Sequence, residues 1–252
     1  MKSKSILISF FVILFSLSVY SQNIEAVKSI SIIDCPTAAT MERGSFMGIL
    51  QAYADGGLLG YLEVGLTNRM MFGISYGGKN IIGAGAIDWN PVVGVNVRYR
   101  VIDEALAFPA IAVGYDGQGH GAYIDSLKRY VEKSKGVYVT ASKSFNFLGP
   151  WAIHGGVNYS FERADNDKDL NGFIGLEKSF NDELSLFVEY DLGMNDNTGR
   201  SIGDGKGYLN AALKWTFQKK LQIDFLWKNI LKNNSLVKGS SREIRIGYIE
   251  YF

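Results

Sequence analysis

The 252-residue chain holds two histidines, His120 and His154, and a single cysteine, Cys35. Acyl transfer on a strand needs an imidazole within hydrogen-bond reach of a serine hydroxyl, so that the ring can take the proton as the oxygen attacks. His154 is followed by Gly155-Gly156, and His120 lies in Gly117-Gln-Gly-His-Gly121; neither has a serine two residues away. Hydrolysis is therefore not expected. One cysteine excludes an internal disulfide, and Cys35 reads as incidental. Asp165-Asn-Asp-Lys-Asp169 carries carboxylates at alternate positions like the start of a calcium loop, but the following glycine and the closing glutamate are missing. A solvated turn is expected there. Gly77-Gly-Lys79 and Gly203-Asp-Gly-Lys-Gly207 lack the spacing of a phosphate loop. No metal and no cofactor are predicted.

The remaining chemistry is a scatter of polar and charged residues at alternate positions, so their placement depends on strands, in which successive side chains face opposite ways. Leu184, Leu186, Val188 and Tyr190 share one face, opposite Phe187, Glu189 and Asp191. Trp151, Ile153, Val157 and Tyr159 oppose Ala152, His154 and Asn158, and the same alternation covers 93–101, 209–217, 221–228 and 242–252. Weaker versions cover 46–53, 58–66, 70–76, 109–115, 136–143 and 170–178. The pattern predicts an all-β transmembrane antiparallel up-and-down barrel of about twelve strands, between ten and fourteen. With the apolar face toward lipid, the lumen is predicted to receive Glu63, Arg98, Arg100, Tyr138, His154, Asn158, Glu189, Asp191, Lys214, Asp224, Lys228 and Arg245. Both signs occur there, so these residues either brace a narrow lumen in pairs or line a weakly selective solute path.

The connections sort by length. Short links at 67–69, 102–107, 146–150, 181–183 and 218–220 alternate with longer polar stretches at 78–90, 116–135, 163–169, 195–206 and 229–241, with 54–57 as the short exception. Membrane barrels have brief inner turns and longer outward loops, and an even strand count places both ends on the short-turn side. Trp151, Phe180, Phe217 and Phe252 then fall on the apolar face at the short-turn end. Trp227 falls at the far end with Tyr76, Tyr115 and Phe161, giving two interfacial belts. Within the loop at 116–135, residues 123–130 are predicted to form one or two helical turns over or into the outer mouth.

Lys2 and Lys4, an apolar run over 6–19 and a small residue at Ser21 have the three parts of a secretory signal. The expected organisation is a signal peptide over 1–21, a periplasmic lead-in over 22–43 packed into the barrel mouth, and a barrel over 44–252. With 26 basic and 25 acidic side chains the chain has no electrostatic pull on nucleic acid.

The stretch Arg242–Phe252 alternates and ends on an aromatic, which resembles the C-terminal insertion signal of bacterial outer-membrane barrels, with Glu250 standing where that signal has an apolar residue. Asp55-Gly-Gly-Leu-Leu-Gly60, Gly65-Leu-Thr-Asn-Arg69, Phe108-Pro-Ala-Ile-Ala-Val-Gly114 and Gly136-Val-Tyr-Val-Thr-Ala-Ser-Lys143 resemble a group of uncharacterised outer-membrane barrels. The run 109–143 also resembles part of the much longer YjbH-like proteins. The resemblance implies a bacterial outer-membrane location, lipid and the barrel-assembly machinery as partners, and a role as a narrow channel or as an accessory to exopolysaccharide transport. A polysaccharide or small solute is then the cargo. The alternatives are a non-conducting structural or loop-binding protein and, least favoured, a lipid hydrolase.

Overall fold

The computed structural model describes residues 29–146, 148–234, 236 and 239–252. The expected signal peptide, 1–21, lies outside the described residues. Fifteen strands follow in chain order: β1 Ser45–Tyr53, β2 Gly57–Thr67, β3 Met70–Lys79, β4 Asp88–Trp89, β5 Gly94–Ile102, β6 Ala110–Asp116, β7 His120–Ile124, β8 Arg129–Glu132, β9 Gly136–Asn146, β10 Pro150–Tyr159, β11 Asn171–Ser179, β12 Leu184–Asp191, β13 Tyr208–Phe217, β14 Leu221–Lys228 and β15 Ser241–Tyr251. Twelve of them close a ring of antiparallel pairs, because β2 bonds to both β1 and β3, and β1 bonds to β15. The short β4 extends the ladder of β3, while β7 and β8 pair only with each other. Closure leaves the ring without a free edge, which is the condition for spanning lipid with strands.

The twelve predicted strands are the twelve strands of the ring, and their ends differ where a polar residue turns the chain. The alternation of β12 runs on in the sequence through Leu192 and Met194, but the strand stops at Asp191, whose Oδ1 accepts the N–H of Gly193 at 2.9 Å, an Asx-type turn onto a glycine at φ +60°. The alternation of β10 runs on in the sequence through Phe161 and Glu162, but the strand stops at Tyr159, at a register shift next to Asn158, and Glu162 is a loop residue.

Outward-facing residues are apolar and exposed along the strands: Ile174 and Val157 are 54% and 55% accessible, and Phe225, Ile244 and Ile246 are similar. Phe180, Phe217 and Phe252 are exposed at the short-turn end, where Phe252 packs on Phe46 with ring centroids 5.2 Å apart. Lys178 Nζ lies 4.8 Å above the half-exposed Trp151 ring. At the other end Trp227 is exposed, Tyr76 stacks on Trp89 at 5.6 Å, and Tyr115 lies 6.1 Å from Phe161. Glu250 shares the outward face; Lys220 Nζ reaches its two oxygens at 2.7 and 2.9 Å and the Tyr248 hydroxyl donates to it at 2.7 Å. That pairing accounts for a carboxylate in a place where an aromatic is usual.

Inward positions include Phe173, Phe187, Leu226, Met47 and Met71, all buried. A water-filled lumen would leave such side chains wet. They are covered instead by residues 29–43, which re-enter the ring from the short-turn end.

Candidate functional site: an occupied lumen

Residues 29–43 form a narrow re-entrant hairpin. Ser31 and Pro36 form a β-bridge, Ile32 N–H donates to Cys35 O at 2.9 Å, and Thr37 N–H donates to Ile30 O at 3.3 Å. The turn points toward the long-loop end. Its limbs are anchored near the short-turn rim, where Ser29 Oγ donates to Glu177 Oε1 at 3.1 Å and Arg43 N–H to Asn68 Oδ1 at 3.1 Å. Apolar side chains dock it: Ile32, Ile33 and Cys35 cluster with Phe173, Phe187, Ala212 and Leu226, Ala38 packs on Ala110 and Ala112, and Met41 packs on Met47 and Met71. Gly175 makes room for it, since a Cβ there would lie 2.5 Å from Ile32 Cδ1.

Polar wall residues hold the backbone of this plug. Three consecutive N–H groups, of Ile33, Asp34 and Cys35, donate to one oxygen of Glu189 at 2.9, 2.9 and 2.8 Å. Converging N–H groups of this kind form a nest whose natural guest is an anion. Arg98 Nη1 donates to Ile30 O at 2.5 Å and Ala39 O at 2.8 Å, so one guanidinium joins both limbs; its Nε donates to Tyr138 Oη at 2.9 Å. Thr140 Oγ1 donates to Pro36 O, Arg245 Nη2 donates to Ile33 O, and Ser142 Oγ accepts from Ala38 N–H.

The Asp34 side chain lies 2.7 Å from Lys228 Nζ, 3.3 Å from His120 Nδ1 and 3.6 Å from Arg245 Nη2. Burial alone would raise its carboxyl, but these neighbours outweigh burial and hold it far below the usual carboxylate range. Burial drives the His120 imidazole down to about 3 despite the pull of Asp34. His120 opens β7, and the segment predicted as helical turns is the β7–β8 hairpin, which folds inward from the long-loop end. β-Branched and aromatic residues flank its turn at Asp125–Lys128, and Tyr123 meets Tyr130 edge-on across the pair at 5.1 Å, a cross-strand contact that a helix would not provide. Glu132 on β8 lies 3.2 Å from Lys228, and burial, opposed by Lys228 but reinforced by Asp34, pushes its carboxyl up to about 8. Asp34 is therefore the ionised partner of Lys228 at neutral pH, with Glu132 beside it.

Above the hairpin, Arg129 is fully buried; its Nη1 reaches Asp165 Oδ2 at 2.8 Å and Asp196 Oδ1 at 2.5 Å, and its Nη2 reaches Asp196 Oδ2 at 3.0 Å. Lys133 Nζ lies 2.7 Å from Asp165, and Glu162 accepts the N–H groups of Tyr130 and Ser134. The run 165–169 is a turn with Asn166, Lys168 and Asp169 exposed, but Asp165 and Asp167 are buried, Asp165 as the counter-ion of Arg129 and Lys133. Asp167 Oδ2 accepts the N–H groups of Asn197 and Thr198 at 2.9 and 3.0 Å. No cluster with metal-ligand geometry occurs among the described residues.

The other predicted lumen residues also lie on the inner wall. Glu63 Oε1 accepts from Asn96 at 3.3 Å, Asn158 donates to Lys135 O at 2.9 Å, Lys135 pairs with Asp191, Lys214 Nζ lies 4.5 Å over the Phe187 ring, and Asp224 lies 3.9 Å from Arg245. Arg100 sits at the short-turn rim rather than in the lumen proper, bonded to Asn68 O and Asp103. His154 Nδ1 lies 2.9 Å from Ser142 Oγ, a serine of the neighbouring strand that spacing along one strand could not reveal, and His154 Nε2 lies 3.7 Å from Glu177. The same Ser142 oxygen accepts from the plug and is buried beneath it. Cys35, read as incidental, sits at the plug tip with Sγ 3.9 Å from Asp191 Oδ2.

Sequence reasoning placed residues 22–43 at the barrel mouth but not as a hairpin filling the lumen, although a signal existed. Inward-phased Phe173, Phe187, Leu226 and Met71 have no business facing water, and Ile30, Ile32 and Ile33 lie in the one segment without a strand of its own.

No family model and no curated protein matches the chain. Among solved structures it is similar to the KdgM porin, at 11% identity over 82% of this chain and 99% of that one with a TM-score of 0.50. The KdgM porin in complex with disordered oligogalacturonate aligns with 12% identity, the same coverage and a TM-score of 0.50. The COG4313 outer membrane channel from Pseudomonas putida F1 aligns at 13% identity over 85% of this chain and 98% of that chain, with a TM-score of 0.42. At such identities the likeness is one of fold, a closed twelve-stranded porin-type barrel. The resemblance to YjbH-like proteins is not supported by these likenesses.

Proposed function

We propose that the chain is an outer-membrane channel for small polar solutes, with both ends of the barrel on the periplasmic side and its lumen closed by residues 29–43. One observation carries this reading: a ring without edges turns apolar side chains outward along its strands and polar, charged ones inward. Only lipid satisfies the outer face, while the inner wall carries the charged and polar groups of a solute path beside the apolar side chains that dock the plug. The partners in this reading are outer-membrane lipid and, during insertion, the barrel-assembly machinery acting on the strand that ends at Phe252. The mixed signs on the wall suit weakly charged or sugar-like solutes better than a strongly ion-selective pore. An accessory role in polysaccharide export has only the local sequence resemblance behind it. A lipid hydrolase is disfavoured by the covered Ser142.

Planar-bilayer recording tests the reading. The full chain is expected to open rarely, and a variant lacking residues 29–41 to give discrete conductance steps. Silence from both proteins, once correct insertion is verified, would sink the channel assignment. It would favour the second reading, a non-conducting structural or loop-binding barrel, which the filled lumen itself recommends.

A further inference from the structure

Lys228 is 2% exposed and projects inward from the end of β14. A buried ammonium needs a counter-charge; among the described residues the carboxyl groups that meet it are Asp34 of the plug, its ionised partner, and Glu132 of the β7–β8 hairpin. Both partners belong to inserted segments and neither to the wall. On the adjacent strand Glu243 directs its oxygens elsewhere, accepting from Gln51 Nε2 at 2.7 Å and Ser241 Oγ at 2.9 Å. Asp224 faces Arg245, whose Nε is also spent on Gln51 Oε1 at 3.0 Å. Withdrawal of the plug and hairpin would leave these wall pairings in place: Arg245 would lose Asp34 but keep Asp224, and Lys228 would be left with no carboxylate partner.

We propose that Lys228 is a carboxylate-binding site of the lumen wall, and that Asp34 is a tethered carboxylate occupying it in the closed state, with Glu132 closing it from the opposite side. A solute bearing a carboxylate competes with Asp34 for Lys228 and so releases the plug. The ligand class follows from the nearest occupant: a carboxylate oxygen of Asp34 2.7 Å from a buried ammonium, with the Arg245 guanidinium 3.6 Å from its other oxygen. The inference rests on the channel reading for its physiological meaning, but the site itself does not require conduction. A short tether holds its ligand at an effective concentration on the order of millimolar. Competition is therefore expected at millimolar solute and above.

Cys35 is the sole cysteine of the chain and lies buried at the plug tip one residue from Asp34, so its maleimide labelling reports plug release. The full-length protein would be reconstituted in vesicles and labelled in sodium glucuronate, or in sodium chloride with glucose at the same ionic strength. Glucuronate is expected to accelerate labelling several-fold, and glucose with chloride to leave it slow. Lys228→Gln is expected to label quickly in both media and to lose the response. If Lys228→Gln fails to insert, Asp34→Asn carries the test: it keeps Lys228, and should label faster at baseline. Equal rates in the two media for the wild-type protein, or wild-type protection and response in the variants, would overturn the site. Conductance without a glucuronate effect defeats the site and leaves the channel. A glucuronate effect in a barrel that never conducts defeats the channel and leaves the site.

Discussion

At the scale of single residues, the closed lumen depends on carboxylates used as acceptors. Glu189 takes three plug N–H groups on one oxygen, and its other oxygen accepts from Asn210 at 3.1 Å. Glu189→Ala would leave buried donors unpaired, at about 1–3 kcal/mol for an orphaned group. The ring, held by its ladders, should remain folded. Amide exchange at 33–35 should quicken by about ten- to a hundredfold at 1.4 kcal/mol per decade, and unchanged protection there would show that apolar docking alone holds the plug. Asp167 makes a separate, pH-dependent statement. Burial works to raise its carboxyl, but the N–H groups of Asn197, Thr198 and Asp169 prevail and hold it below the usual carboxylate range. A lowered folded value means stability that is complete above the ordinary aspartate pKa of about 3.9 and lost as pH falls through the folded value. Amides 197 and 198 should thus keep constant protection from neutral pH to about 5 and lose it in stronger acid. In Asp167→Asn that acid step should vanish.

At the scale of elements, period-two patterning made the twelve ring strands legible because one face of each meets a different environment from the other. Helical spacing misled at 123–130: Ile124, Leu127 and Tyr130 are compatible with a helix face, yet the hairpin satisfies its backbone by pairing β7 with β8 and by donating to Glu162. Charge partners 36 and 67 residues apart, Arg129 with Asp165 and Asp196, cannot be read from a sequence without contacts. The depth and hairpin form of the plug escaped for the same reason, since its donors and acceptors find partners from about 60 to more than 200 residues away. Arg129→Met tests what holds the outer hairpin. It removes the cation that faces Asp196 and leaves Asp165 with Lys133 only, and breaking a buried pair from one side is worth about 3–5 kcal/mol in comparable sites. Limited proteolysis should then cut within 117–135, with the ring strands still resistant. A variant as protected as the wild-type protein would move the burden to Glu162 and Lys133.

At the scale of the whole molecule, alternation by itself does not say which face of a barrel is inside; the filled interior and the apolar exterior do. Ile246 lies near the middle of β15, faces outward at 45% exposure and stands next to the inward Arg245. If that exterior were solvated, Ile246→Arg would be a surface change within about 0.5 kcal/mol of neutral. Against hydrocarbon at mid-depth, an arginine costs about 2–4 kcal/mol, falling toward about 0–1 kcal/mol near the interfaces. The contrast gives an internal control on the same strand, because Arg242 faces outward near the long-loop end, one turn of the pleat from the rim. Ile246→Arg is therefore expected to lower unfolding free energy in vesicles by about 2–4 kcal/mol, whereas Arg242→Ile should change it by less than about 1 kcal/mol. Equal small effects at the two depths, measured by urea titration from lipid vesicles, would mean that the apolar face does not meet lipid, and the membrane-spanning assignment would fall with it.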